Sequence, residues 1–169
     1  MAMAPLSHIA QRLRRFGRDE SGAALVELAI VLPITCLVFA VIVEGGRMLW
    51  SYQSAIAGVR DAARYVARIA PNDICDGTAA IGSYTAAVED IVRNTIDGQA
   101  LFPTGITIAS VTPTLRCVSG SYRIDTVPVV RVSATLNITF PFADLLAFGG
   151  HTQSAITTSI ADEHRIFGT

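Results

Sequence analysis

The hydrophobic positions form three successive patterns, and the first is an almost uninterrupted apolar run near the N-terminus. From Ala23 to Val43 the only charged residue is Glu27. As an α-helix this run spans about 32 Å at about 1.5 Å per residue, which matches a hydrocarbon core of about 30 Å. A buried helix of a soluble domain would normally carry a polar stripe. The pattern therefore predicts a transmembrane helix over residues 23–43.

Beyond Val43 the apolar positions recur with helical spacing. They step by three and four residues and comprise Leu49, Tyr52, Ile56, Val59, Ala63, Val66 and Ala70. This heptad-like spacing predicts one helix from about Gly22 to Ala70, ended by Pro71. Two interpretations of the apolar face remain open. It packs on the chain's own domain, or it pairs with the same helix of another subunit.

The third pattern is a short helix followed by extended segments. A second helix is predicted from Thr78 to Asp97, with Gly98 as its end signal. Three extended stretches follow it: 106–118, interrupted at Pro113, then 130–140, which alternates cleanly, and 151–160. The charged run 162–165 is interpreted as a solvated tail.

Together these elements predict an α+β fold. It contains a long N-terminal transmembrane and amphipathic helix, a short second helix and a small antiparallel sheet of three or four strands. Four parts are expected along the chain: a basic cytoplasmic leader (1–22), a transmembrane helix (23–43), an amphipathic extension of that helix (44–70) and an outer α+β domain (71–169).

Charge excludes one class of partner and suggests an orientation. The net charge is -1 and only 16% of residues are charged, so no basic field is present to bind nucleic acid. The N-terminal flank of the apolar run carries a small excess of arginine, at Arg12, Arg14, Arg15 and Arg18. By the positive-inside rule this flank is expected on the cytoplasmic side.

The start of the apolar run carries a recognisable arrangement of residues. Gly22 precedes it, Glu27 lies five residues further on, and a short basic leader comes before both. This arrangement resembles the processing site of type IV prepilins and pseudopilins. The stretch 21–68 is similar to the TadE-like family, minor pseudopilins of the tight-adherence (Tad/Flp) pilus machinery. The similarity rests on the segment 22–27, Leu32-Pro33, Glu44-x-Gly46-Arg47, Tyr52, and Ala62-Ala63-Arg64-Tyr65 with Ala67.

The resemblance implies processing and assembly. A membrane aspartyl peptidase, the prepilin peptidase, would cut after Gly22 and leave Ala23 as the new N-terminus. Glu27 of one subunit would then pair with the Ala23 amine of its neighbour. The expected partners are that peptidase, other pilin or pseudopilin subunits and the Tad secretion machinery. The expected location is the bacterial inner membrane, single-pass, with a periplasmic C-terminal domain. After processing, the pilus or cell surface is a further location, with a role in surface attachment.

The positions of the cysteines agree with a domain that lies outside the cytoplasm. Cys36 lies in the apolar run and is interpreted as a small apolar filler. Cys75 and Cys117 lie in the outer domain, where a disulfide between them is chemically allowed. The alternative is a pair of buried free thiols.

The sequence predicts neither catalysis nor a cofactor. It contains no phosphate-binding loop, nucleophile elbow or H-E-x-x-H motif, and its histidines form no metal-ligand spacing with the cysteines. No metal site and no enzymatic activity are therefore expected. The predicted function is that of a TadE-like minor pseudopilin. The alternative is an uncleaved single-pass anchor whose outer domain binds a ligand or an envelope protein.

Overall fold

The structure is a computed structural model that describes residues 21–77, 79–121, 126–143 and 154–168. The predicted leader up to residue 20 lies outside these ranges. The described helices and strands are α1 (Ser21–Ile69), α2 (Thr85–Arg93), β1 (Ile106–Ser119), β2 (Thr126–Thr139) and β3 (Ala155–Arg165). Two short 3-10 helices, Ile74–Asp76 and Ile81–Tyr84, lie between α1 and α2. The predicted α+β class is confirmed.

The chain divides into two compact units at Ile42 and Val43. The described part of the first unit is the apolar beginning of α1, whose side chains are almost all exposed. Its most apolar window has a mean hydropathy of 2.7 and is only 6% buried within the protein. Helix α1 is thus long and apolar enough to cross a membrane, as the sequence predicts.

The second unit is built around the C-terminal part of α1. Val59, Ala63, Val66 and Ala70 of the predicted apolar face are fully buried in the core. Leu49 of the same face stays 59% exposed. The packing supports the interpretation that this face covers the chain's own domain, whereas pairing between subunits stays a prediction.

The sheet is antiparallel with strand order β1-β2-β3, so β2 is central. One row of paired residues runs across all three strands through Ile106, Ile138 and Ile156. The alternation predicted for the central strand is confirmed, because Val130, Val132, Ala134, Leu136 and Ile138 are all buried. These side chains form the core with α1 and with Val88 and Val92 of α2.

The predicted second helix is too long at both ends. The structure has a 3-10 turn at Ile81–Tyr84, and α2 ends at Arg93. Gly98 does not end the helix but takes φ +74° in a turn closed by its N–H to the carbonyl oxygen of Thr95.

Two strand predictions are also corrected. Pro113 does not interrupt β1, because β1 is an edge strand of the described sheet and edge strands tolerate proline. The run 162–165 is not a solvated tail but the end of β3. Asp162 and Glu163 have partners on other elements: Asp162 pairs with Arg60 of α1, and Glu163 lies 3.0 Å from Arg131 of β2. Such partners are distant in sequence, so local composition could not reveal them.

The residues after β3 form backbone hydrogen bonds with α1 and β2. The Ile166 N–H donates to the carbonyl oxygen of Pro128, and the Phe167 N–H donates to that of Ala67, both at 2.9 Å. The Ile166 side chain is only 2% exposed and belongs to the core. The C-terminal segment therefore contributes to the packing around α1.

Candidate processing and assembly site on the N-terminal helix

The residues of the predicted processing site lie in the first two turns of α1. Gly22, Ala23 and Glu27 are all exposed. A side chain built at Gly22 would meet no other group within 4 Å. The Gly22–Ala23 peptide bond lies at the start of the described part of α1. The two residues joined by this bond are therefore both exposed to solvent.

Helical spacing brings Ala23 and Glu27 to one face of α1. Residues four apart are neighbours on a helix surface. Within the described residues no cation lies within ion-pair distance of the Glu27 carboxylate. A carboxylate in an apolar segment is costly without a partner.

Glu44 and Arg47, two charged residues of the family resemblance, form an ion pair in the second unit. The Glu44 side chain is 8% exposed, and both of its oxygens accept hydrogen bonds from Nη1 of Arg47, at 3.4 and 3.3 Å. Nη2 of Arg47 donates to the carbonyl oxygen of Thr104 at 2.7 Å. One guanidinium thus joins the helix to the loop before β1.

The sequence analysis assigned no role to this pair. Opposite charges three residues apart on a helix were the signal that could have suggested it. Thr104 is 57 residues from Arg47 in the sequence, so no local pattern predicts the contact between them.

A small residue lets α1 approach α2 closely. A Cβ atom built at Gly58 would lie 3.3 Å from the Cα atom of Val92. Both residues are buried. The glycine therefore sets the distance between the two helices.

The predicted disulfide between Cys75 and Cys117 is present, with the two Cα atoms 5.9 Å apart. It joins the segment after α1 to the far end of β1. Cys36 is a free, exposed thiol within the apolar part of α1. The alternative of two buried free thiols is wrong.

The described fold matches the architecture expected from the sequence: an exposed apolar helix that is long enough to cross a membrane continues into a small α+β domain. Residues 22–64 match the family model of the TadE-like proteins. The resemblance seen in the sequence is confirmed for this segment, which is similar to TadE-like proteins. No curated protein and no solved structure matches the chain.

The match covers about a quarter of the chain and ends within α1. It includes Gly22, Ala23 and Glu27, the pair of Glu44 and Arg47, and also Gly58. The sheet and both cysteines of the disulfide lie outside it.

Proposed function

We propose that the protein is a minor pseudopilin, cut after Gly22 by a prepilin peptidase, that acts in assembly of a Tad/Flp pilus. The observation that carries the proposal is the position of the Gly22–Ala23 bond. It lies in the first described turn of an exposed apolar helix, and one turn further on is Glu27, which has no cation partner among the described residues. The chain has no reaction of its own in this proposal, because it is the substrate of the peptidase.

Cleavage would give Glu27 a partner. The new α-amine of Ala23 would carry a positive charge at the end of an apolar helix. When helices of neighbouring subunits stack in lipid, the amine of one and the Glu27 carboxylate of the next would neutralise each other where both are desolvated. The pairing would fix the axial register between subunits.

The proposed topology places the leader in the cytoplasm and the α+β domain in the periplasm, with α1 crossing the inner membrane. A disulfide persists in the periplasm and is rare in the cytoplasm, so Cys75 and Cys117 support this orientation. Thiol trapping with an alkylating reagent in intact cells tests it. Protected Cys75 and Cys117 are expected, and alkylation of both without reductant would contradict the topology.

Intact-mass spectrometry of the protein purified from peptidase-positive cells tests processing. A mature chain that begins at Ala23 is expected. Gly22→Ala should abolish cleavage, and Gly46→Ala is the matched control, because it too is a glycine of α1 with no neighbour within 4 Å. A full-length wild-type chain would refute the proposal and favour the uncleaved membrane anchor.

Substitution of Glu27 separates assembly from processing. Glu27→Gln keeps the shape of the side chain but removes its charge, so cleavage should continue while pilus formation falls. Thr35→Val removes a polar group from the same apolar segment and serves as the control, since Thr35 bonds only to the carbonyl oxygen of Val31 of its own helix. If the Glu27→Gln variant forms pili at the normal level, the proposed charge pairing is wrong.

A further inference from the structure

Three consecutive large apolar residues of α1 are exposed just beyond the predicted membrane segment. Met48, Leu49 and Trp50 are 37%, 59% and 56% exposed, whereas Ser51 is fully buried. Consecutive residues of a helix point about 100° apart. The three side chains therefore point in directions that span about 200° around the helix axis. One helix packed against α1 would cover only part of that range.

Their depth along the helix is that of a membrane interface. Met48 and Trp50 follow Val43 by five and seven residues, or about 8 to 10 Å at about 1.5 Å per residue. A bilayer of about 40–45 Å with a hydrocarbon core of about 30 Å leaves a headgroup layer of about 5–8 Å on each side, so the backbone of Met48 lies at its outer edge and that of Trp50 just beyond it. Side chains of a helix lean toward its N-terminus, which directs both of these side chains back toward the headgroup layer. Tryptophan is enriched in that layer, where its ring is apolar and its N–H remains hydrated.

The sheet contributes exposed apolar residues at the same end of the domain. Arg47 contacts Thr104, and the carbonyl oxygen of the next residue, Gly105, accepts a hydrogen bond from the N–H of Thr139. The end of β2 and the start of β3 are therefore beside Arg47. Here Phe142 is 38% exposed and Ile156 is 37% exposed.

Charges in the sheet avoid this end. All charged residues of the three strands lie in the other half: Arg116, Arg131, Asp162, Glu163, His164 and Arg165. The strand portions 106–115, 132–139 and 155–161 carry none. The described strand residues at this end therefore bring no charge of their own toward a lipid layer, where desolvation of a charge would be costly.

We propose that Met48, Leu49, Trp50, Phe142 and Ile156 form an apolar rim that inserts into the headgroup layer of the bilayer and seats the α+β domain on the lipid surface. We choose lipid as the partner because it can surround the side chains of Met48, Leu49 and Trp50, which point in several directions around α1. The rim is also continuous in sequence with the segment predicted to cross the membrane. The inference rests on the membrane anchoring in the proposed function, but not on cleavage after Gly22.

The chain contains a single tryptophan, so Trp50 is a native probe of the rim. The full-length protein is reconstituted into phosphatidylcholine vesicles with lipids brominated at different acyl positions, and its emission is recorded. Bromine near the headgroup should remove most of the Trp50 emission, and bromine near the chain end should remove less. Acrylamide in the water should quench it weakly.

Two further tryptophan probes compare the end of the α+β domain that carries Phe142 with the opposite end. In a Trp50→Phe background, Phe142→Trp reports on the sheet end, and Phe167→Trp reports on the opposite end. Phe167 bonds Ala67, which is about 30 Å beyond Arg47 along α1, and is 70% exposed. The Phe142→Trp probe should be quenched by brominated lipid, while the Phe167→Trp probe should respond only to acrylamide. Formation of the Cys75–Cys117 disulfide in each variant verifies folding.

Flotation of the vesicles separates the possible failures. If the protein does not float with lipid, the membrane anchoring itself is refuted. If it floats but brominated lipid quenches neither Trp50 nor Phe142→Trp, the rim proposal alone is overturned. A blue-shifted emission that resists both quenchers would identify a protein-covered rim and would also overturn it. Quenching of Trp50 without Phe142→Trp would restrict the contact to the helix and refute seating of the sheet.

Discussion

Arg47 of α1 donates a hydrogen bond to the carbonyl oxygen of Thr104 at 2.7 Å while it also binds the carboxylate of Glu44. The guanidinium is suited to this double role, because its planar fork offers several donors in fixed directions. The next residue in the loop, Gly105, takes φ +88°, and its carbonyl oxygen accepts the N–H of Thr139. The Arg47 side chain therefore connects the helix to the loop before β1, and the backbone of that loop bonds to the end of β2.

Arg47→Ala should destabilise the outer domain. The substitution leaves the 8%-exposed Glu44 side chain without its cation and the Thr104 carbonyl without its donor. A cost of about 2–3 kcal/mol is expected for hydrogen bonds to charged groups that leave a buried partner unsatisfied. Equilibrium unfolding of the full chain in detergent, followed by circular dichroism, measures it.

Two variants sharpen this test. Arg60→Ala breaks an ion pair with Asp162 whose side chains are 51% and 34% exposed, and should cost less than about 1 kcal/mol. The double variant Glu44→Gln with Arg47→Ala should cost less than the sum of the two single changes, because the residues interact directly. Simple additivity would contradict the importance of the pair.

Removal of the disulfide should lower stability by a larger amount. Cys75 and Cys117 are separated by 42 residues, and loss of the constraint on the unfolded chain corresponds to about 4 kcal/mol. The double variant Cys75→Ser with Cys117→Ser and the reduced wild type should unfold at similarly low denaturant concentrations. Cys36→Ala is the control and should unfold like the wild type, since Cys36 is a free thiol.

Elements with a strong period could be predicted from the sequence, whereas their ends depended on tertiary contacts. The apolar run and the steps of three and four residues predicted α1 to within one residue at each end. The alternation in 130–138 predicted the buried face of β2. In contrast, the end of α2 at Arg93 coincides with a hydrogen bond from its side chain to the carbonyl oxygen of Ile108, on a strand that follows it.

The same distinction holds for the candidate site. Gly22, Ala23 and Glu27 were found because their chemistry lies within six consecutive residues. The link from Arg47 to Thr104 and the apolar rim combine residues from separate parts of the chain. Only the antiparallel register and the loop before β1 bring Phe142 and Ile156 to the end where Arg47 lies. Local patterns carry no information on that proximity.

Enlargement of Gly58 should disturb the packing of α1 on α2. Its Cβ position is already 3.3 Å from the Cα of Val92, which is backbone and yields little. Gly58→Leu is expected to destabilise by about 1–3 kcal/mol, as overpacked cores do. Gly46→Leu is the matched control within the same helix, because nothing lies within 4 Å of its Cβ position. Equal unfolding midpoints for the two variants would show that the close approach carries no cost.

The C-terminal segment should contribute to stability despite its position at the end of the chain. Ile166 is 2% exposed and its N–H bonds to Pro128, so Ile166→Ala should cost about 2–4 kcal/mol through the cavity that it leaves. The neighbouring Phe167 is 70% exposed, and its ring contacts the Arg165 guanidinium at 5.4 Å. Phe167→Ala should therefore cost no more than about 1 kcal/mol. Unfolding of both variants by denaturant gives the comparison. A loss for Phe167→Ala that equals the loss for Ile166→Ala would mean that the segment is held by its exposed face rather than by burial of Ile166.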